Sequence, residues 1–121
     1  MMEAACRGAK GAGGTTIGIL PGADRAGANP FVDFAIPTGL GEARNALVVR
    51  AADAVVAVGG GWGTLSEIAL ALKTGVPVVG LGTWEPAIGG APVEGIARAD
   101  GPREAVDAAL SQTFHSSARD L

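Results

Sequence analysis

The clearest chemical feature of the sequence is a glycine-rich segment, Val58-Gly59-Gly60-Gly61-Trp62-Gly63-Thr64-Leu65-Ser66-Glu67. Four glycines occupy the five positions 59–63, between an uncharged run and a segment of helical periodicity. Glycine lets a backbone approach a phosphate, and the N–H groups at a helix start supply donors together with the positive end of the helix dipole. We therefore predict that a phosphorylated small molecule binds at Gly60, Gly61, Trp62, Gly63 and Thr64.

The same segment has a simpler interpretation. Thr64 and Glu67 stand at the T-x-x-E spacing of a capping box, which begins a helix without any ligand. A capping box accounts for these two residues and leaves the glycines unexplained, so we favour ligand binding. Glu67 lies off the predicted core stripe of the helix (Leu65, Ile68, Ala69 and Leu72), so it can face the ligand. Trp62 could stack on a base or cover the loop as a lid.

A second glycine loop, Thr38-Gly39-Leu40-Gly41, also precedes a predicted helix. Two strand-to-helix loops on one edge of a parallel sheet form opposite walls of one crevice. Arg44 stands one turn into the helix, where it can reach an anion that the helix dipole also attracts. We therefore predict that Gly39, Gly41 and Arg44 contribute to the same phosphate site.

The basic residues near this loop also have an alternative explanation. Arg44 and Arg50 can be solvated surface charges that pair with Glu42 or Asp53, and such exposed pairs contribute little. The lone His115 lies in a polar C-terminal stretch without an evident partner. We find no Ser/His/Asp or Cys/His arrangement suited to nucleophilic catalysis.

The elements that would position these loops alternate between strands and helices, which indicates an α/β fold with a parallel sheet and right-handed crossovers. Uncharged strands such as 54–58 are typical of parallel strands that are buried on both faces. Helices are predicted at 2–12, 42–52, 64–73 and 100–110, strands at 15–20, 31–36, 54–58 and 77–81, and an irregular or hairpin-like segment at 82–99.

The composition limits the protein to one domain and excludes several classes. We expect a partial nucleotide-binding domain at 1–111 and a disordered tail at 112–121. The net charge is −3 and the basic residues are scattered, so no nucleic-acid partner is expected. Cys6 is the single cysteine, and no cluster has metal-ligand spacing, so we predict neither a disulfide nor a bound metal. Without a signal peptide or an apolar span, a cytoplasmic protein without a membrane partner is expected.

Four motifs within residues 2–81 resemble a known family: MEAACRGA, GILPG, IPTGLGEARN and AADAVVAVGGGWGTLSE. They resemble the LOG (lysine decarboxylase-like) superfamily, and within it the subgroup that includes molybdenum-cofactor carrier proteins. The resemblance implies a Rossmann-like doubly wound parallel sheet. It also implies a phosphorylated ligand, either a nucleotide or a molybdenum-cofactor-like pterin, and no other cofactor is predicted.

Enzymes of the LOG family cleave the N-glycosidic bond of nucleoside 5′-monophosphates. They carry an Arg-Lys pair and a Pro-Gly-Gly-Tyr-Gly-Thr loop that ends in Glu. By this resemblance Arg44 and Glu67 would be the catalytic residues. Asn45 stands in place of the lysine, Gly59 of the proline and Trp62 of the tyrosine. These departures favour the carrier-like subgroup over the hydrolases.

The resemblance carries two further expectations. Family members have a strand, a helix, a second strand and a glycine-rich loop before the segment that resembles residues 2–5, so we expect this sequence to lack the N-terminal βαβ portion. Family members are commonly dimers or larger, which implies a homo-oligomer. Three functional hypotheses follow: a carrier-like binding protein, a nucleoside 5′-monophosphate phosphoribohydrolase, and a non-functional fragment.

Overall fold

The computed structural model describes the backbone of residues 1–119 and the side chains as far as residue 112. The chain divides into two compact units, Met1–Leu47 and Val48–Leu121. The predicted domain, residues 1–111, stays a prediction. Within the described residues, no helix combines the length and apolar character that a bilayer span requires.

The first unit contains one helix and one pair of strands. Helix α1 (Met2–Gly11) is followed by β1 (Ile17–Leu20) and β2 (Phe34–Pro37), which pair in parallel. A 3₁₀ turn (Gly41–Ala43) then leads into α2 (Arg44–Arg50). No residue of α1 is buried, and the strand pair exposes several large side chains: Ile17, Phe34 and Ile36.

Asp33 links α1 to the strand pair. Its carboxylate accepts a hydrogen bond from the Thr16 backbone N–H at 2.9 Å, and it forms an ion pair with Lys10 at 2.9 Å between Nζ and Oδ1. The Thr16 hydroxyl donates to the Phe31 carbonyl at 2.6 Å and so anchors the end of the loop that joins β1 to β2. The hydrogen bond from Lys10, followed by that from Thr16, holds the pKa of Asp33 below its ordinary value.

The second unit is built on a three-stranded parallel sheet. Its chain order is β3 (Val55–Gly59), α3 (Trp62–Thr74), β4 (Val78–Thr83), the short antiparallel pair β5 (Ala87–Ile88) and β6 (Ala91–Pro92), β7 (Ile96–Ala99) and α4 (Pro102–Arg119). The parallel sheet has the strand order β3-β4-β7. The predicted α/β class with a parallel sheet is therefore confirmed.

Both faces of this sheet are covered. Val78 and Val79 are adjacent on β4 and fully buried, and the alternation of a strand places them on opposite faces. One face packs in a cluster of Val49, Ala57, Ile68, Ala71 and Val78. The other packs in a cluster of Val79, Ala99, Ala105 and Ala109. Helix α3 thus covers one face and α4 covers the other, which is the doubly wound arrangement.

Several predicted boundaries shift. Segment 82–99 contains the predicted hairpin, but it also contains β7, a third parallel strand that the sequence analysis missed. On α3 the buried residues are Ile68 and Ala71, whereas Ala69, assigned to the core stripe, is exposed. Helix α4 continues to Arg119, beyond the predicted end at residue 110. The predicted disordered tail, 112–121, falls mostly on residues whose side chains lie outside the described part, so it stays a prediction.

Candidate functional site

The glycine loop (residues 59–64) joins β3 to α3 at the carboxyl end of the sheet. The register between β3 and β4 shifts at this point, so that Gly59 lies opposite Thr83. Gly59 has a φ of +86°, in the left-handed region that favours glycine. Proline, which occupies this place in the LOG enzymes, is locked near −65° and cannot adopt this backbone. The loop therefore departs in conformation, as well as in sequence, from the enzymes' pattern.

Helix α3 begins earlier than predicted, and its start is not a capping box. The N-cap is Gly61, with φ −69° and ψ 154°, and no side chain caps the helix. Thr64 therefore lies within the first turn instead of at the cap. With a glycine at the N-cap, the first N–H groups of α3 lack the side-chain acceptor that Ser, Thr, Asp or Asn would provide. A Cβ added at Gly60 would meet nothing within 4 Å, so the space beside the loop is open.

Two side chains from the end of β4 hold the carbonyl groups of the glycine loop. The Thr83 hydroxyl donates to the Gly59 carbonyl at 2.7 Å, and the indole N–H of Trp84 donates to the Gly61 carbonyl at 2.9 Å. In a trans peptide the carbonyl and the following N–H point in opposite directions. The N–H groups of Gly60 and Trp62 are therefore directed away from β4.

Trp84 is itself held by Arg98, whose Nη1 donates to the Trp84 carbonyl at 2.8 Å. Arg98 lies on β7 opposite Gly80 of β4. A Cβ at Gly80 would lie 2.8 Å from the Arg98 Nη1 and 3.0 Å from the Thr83 Cγ2. The absence of a side chain at Gly80 therefore makes room for both Arg98 and Thr83. The sequence analysis missed these residues, although a glycine inside an apolar strand is a signal of close approach.

Trp62 and Trp84 form an aromatic pair beside the loop. Their ring centroids are 5.1 Å apart and the rings are tilted by 38°. Trp62 is 77% exposed, whereas Trp84 packs partly buried against the cluster that contains Ile68 and Val78. The predicted ligand residue Trp62 thus has a partner that the sequence analysis did not identify.

Glu67 lies on the second turn of α3 and is half-buried. It precedes the buried Ile68 and is one turn from the buried Ala71, whereas Ser66 and Ala69 are exposed. Glu67 therefore lies at the margin of the helix face that packs on the sheet. Its predicted role towards a ligand stays a prediction.

The amide groups of the second glycine loop (residues 38–41) are engaged within the first unit. Gly39 N–H donates to the Gly22 carbonyl at 2.8 Å and Gly41 N–H to the Pro21 carbonyl at 3.0 Å. The Leu40 N–H donates to the Thr38 hydroxyl. Binding of an anion at this loop would therefore rely on Arg44 more than on the backbone. The predicted roles of Gly39 and Gly41 stay predictions.

Arg44 is half-buried, and its Nη1 donates to the Ile19 carbonyl at 2.9 Å. Among the described residues it forms no ion pair with Glu42 or Asp53. The alternative interpretation of Arg44, a surface charge paired with one of these carboxylates, is therefore not supported. Arg50 is exposed at the end of α2. Arg44 and the glycine loop belong to different units, and the shared crevice stays a prediction.

Comparison of this chain with known proteins identifies its family. A model described as the SLOG cluster4 family matches residues 1–106. An uncharacterised protein of Archaeoglobus fulgidus is 42% identical over 113 residues, which are 93% of this chain and 70% of that protein.

Two similar solved structures come from proteins with described ligands. The molybdenum cofactor binding protein of the phototrophic bacterium Rippkaea orientalis has a TM-score of 0.78 and 38% identity, over 91% of this chain and 69% of that one. The molybdenum cofactor carrier protein of Chlamydomonas reinhardtii has a TM-score of 0.74 and 42% identity, over 92% of this chain and 69% of that one. These matches confirm the Rossmann-like α/β fold. Because the family model covers most of the chain and the relatives share its fold and about two-fifths of its residues, the chain belongs to the SLOG cluster4 family.

Proposed function

We propose that this chain is a carrier-like protein that binds a phosphorylated small molecule at its glycine loop. The ligand class is a nucleotide or a molybdenum-cofactor-like pterin. The observation that carries the proposal is the start of α3, where Gly61 caps the helix without a side chain. The loop carbonyls of Gly59 and Gly61 are bound from β4, and the N–H groups of Gly60 and Trp62 face the other way.

The solved relatives support a ligand of this kind. Proteins of the same fold, at 38% and 42% identity, bind or carry molybdenum cofactor. That cofactor combines a pterin with a phosphate, so one end suits backbone N–H donors and the other is a flat ring. A nucleotide shares both groups. In this chain the pterin or nucleotide would be cargo and not a resident cofactor.

The alternative, a phosphoribohydrolase, keeps Arg44 and Glu67, but the structure favours it less. Asn45 occupies the position of the enzymes' lysine and is only 8% exposed, a place where an ammonium group would pay a desolvation penalty. Gly59 has a backbone that the enzymes' proline cannot adopt. This chain therefore differs from the enzymes' pattern at two positions in more than residue type: position 45 is buried, and position 59 has a backbone that excludes proline.

The substitution Gly61→Ser tests the proposal directly. A serine at the N-cap can accept a hydrogen bond from the N–H of Gly63 or Thr64, so its side chain occupies the space at the helix start that the phosphate would use. We expect the free energy of unfolding to change by only a few tenths of a kcal/mol, because glycine is itself an acceptable cap. The affinity for AMP or for inorganic phosphate, measured by titration calorimetry, should fall about tenfold or more.

Gly101→Ser is the matched control. Gly101 precedes α4 and its carbonyl accepts the Ala105 N–H, so a serine there gives the same chemical change at another helix start. It lies beside β7, two strands from β3, and should leave affinity unchanged. Equal affinity of the Gly61→Ser variant and the parent chain would overturn the proposal.

A further inference from the structure

We infer that Trp62 and Trp84 form a stacking platform for the planar nitrogen heteroaromatic ring of the phosphorylated ligand. Trp62 supplies the contact face, and Trp84 is the positioning residue that sets its orientation. The inference rests on the proposed function, because phosphate at the glycine loop is what brings the ring to Trp62. Purine and pterin share this chemistry.

Trp84 is fixed in place by three different kinds of contact. Its ring packs against the cluster that contains Ile68 and Val78, its indole N–H binds the Gly61 carbonyl, and its own carbonyl binds Arg98. A side chain held in this way loses little further freedom when a ligand arrives. Trp84 is therefore a rigid base on which a second ring can rest.

The Trp62 ring packs against the Trp84 ring and stays largely exposed to solvent. The two centroids are 5.1 Å apart at a tilt of 38°, within the range of favourable aromatic pairs. Trp62 is 77% exposed despite this contact, so most of its side chain stays accessible to a ligand. An exposed tryptophan that is already oriented by a neighbour suits the stacking of a flat ring, which depends on area and on pre-organisation.

The position of Trp62 in the chain links this platform to the phosphate. Trp62 is the first residue of α3, and its backbone N–H is one of the donors directed away from β4. One residue thus offers a donor for an anion and a ring for stacking. A nucleotide and a phosphorylated pterin likewise combine an anionic phosphate and a flat ring in one small molecule.

The composition makes this platform directly observable. The chain contains two tryptophans and no tyrosine, so tryptophan emission comes only from this pair. Four probes separate the parts of the ligand: inorganic phosphate, ribose 5-phosphate, AMP and 6-hydroxymethylpterin phosphate. We expect the two ring-bearing probes to quench the emission and the other two to bind with little quenching. Comparison of AMP with the pterin tells which heterocycle is preferred.

Variants of the full chain test each role. Trp62→Leu should weaken AMP and pterin phosphate about tenfold and leave ribose 5-phosphate nearly unchanged. Trp84→Phe keeps an aromatic base but removes the bond to the Gly61 carbonyl, so it should weaken all four probes, weaken the ring-bearing probes most, and alter the quenching of Trp62. Phe34→Leu removes an exposed aromatic ring from β2 and is the matched control, with no expected change in binding.

The outcomes separate this inference from the proposed function. If phosphate and ribose 5-phosphate bind but Trp62→Leu leaves the affinity for both ring-bearing probes intact, the platform is wrong and the phosphate site stands. If Trp84→Phe lowers the affinity for all four probes equally, Trp84 acts only through the Gly61 peptide and does not position the ring. If no phosphorylated probe binds, the proposed function and the platform both fail.

Discussion

The Thr83 hydroxyl donates to the Gly59 carbonyl at 2.7 Å, across the shift in register between the ends of β3 and β4. The bond connects the strand that ends in the glycine loop to its neighbour at the point where the ladder is irregular. Gly59 has a left-handed backbone, so this carbonyl is turned out of the regular strand pattern. A single hydroxyl therefore helps to set the direction of the first peptide of the loop.

Removal of this hydroxyl should affect both stability and binding. Thr83→Val keeps the shape and removes the donor, so we expect unfolding to become easier by about 1 kcal/mol. The affinity for AMP should fall as well, because the Gly60 N–H is no longer held towards the ligand. Thr74→Val is the control, since the Thr74 hydroxyl binds only carbonyls of its own helix, those of Leu70 and Ala71. A Thr83→Val variant with parental affinity would show that the bond does not orient the loop.

Arg44 should contribute charge to binding separately from its structural bond. Arg44→Gln and Arg44→Lys both lose the guanidinium that reaches the Ile19 carbonyl, but only Arg44→Gln also loses the charge. We expect both variants to lose stability by about 1 kcal/mol and only Arg44→Gln to weaken AMP binding about tenfold at low salt. Calorimetry and thermal melts measure the two effects, with Arg50→Gln as the exposed control. Unchanged AMP affinity in Arg44→Gln would remove Arg44 from the site.

The stability of the first unit should depend on acidic pH through Asp33. Its pKa is lowered in the folded chain, so the folded state favours the carboxylate. The stabilisation is complete above the ordinary value of 3.8 and is lost as the pH falls through the lower folded pKa. Urea unfolding followed by far-ultraviolet circular dichroism should show this loss in the parent chain. It should be reduced in Asp33→Asn and retained in Asp53→Asn. An identical acid dependence in all three chains would contradict this assignment.

Glu67 separates a carrier from an enzyme. In N-glycosidic cleavage a carboxylate beside the ribose stabilises the developing positive charge, so it acts mainly in the transition state. We expect the parent chain to bind AMP without release of adenine, and Glu67→Gln to bind AMP with similar affinity. Chromatography of the incubated nucleotide measures this. Robust adenine release by the parent chain, lowered about 100-fold in Glu67→Gln, would overturn the carrier proposal in favour of the hydrolase.

The parts of the fold that were predictable from sequence are those set by local pattern. The uncharged runs predicted β3 and β4. Gly75 ends α3 in the left-handed conformation that glycine adopts readily. The order of strand, glycine loop and helix at residues 54–74 is also as predicted. These features depend on neighbours in the chain, and a single sequence shows them directly.

The parts that were missed depend on distant partners. Strand β7 is short and contains Arg98, so its pattern is not that of a buried strand, and it forms because β4 offers a free ladder edge. Trp84 belongs to a segment without helix or strand periodicity, and its role comes from a bond to Gly61, 23 positions earlier. The capping box at Thr64 was a sound local pattern, but the helix begins at Trp62. Local spacing indicated a cap and could not show which residue occupies it.

Gly80 has a consequence for how this protein tolerates mutation. It lies within a buried strand and belongs to neither glycine loop. Yet Gly80→Ala would push on Arg98 and Thr83 together, the residues that secure Trp84 and Gly59. The terminal part of the Arg98 side chain can swing aside, so the fold can accommodate the methyl group while the loop loses its supports. In a screen of all substitutions, those at Gly80 would then lower ligand binding. The same substitutions would leave the amount of folded protein nearly unchanged.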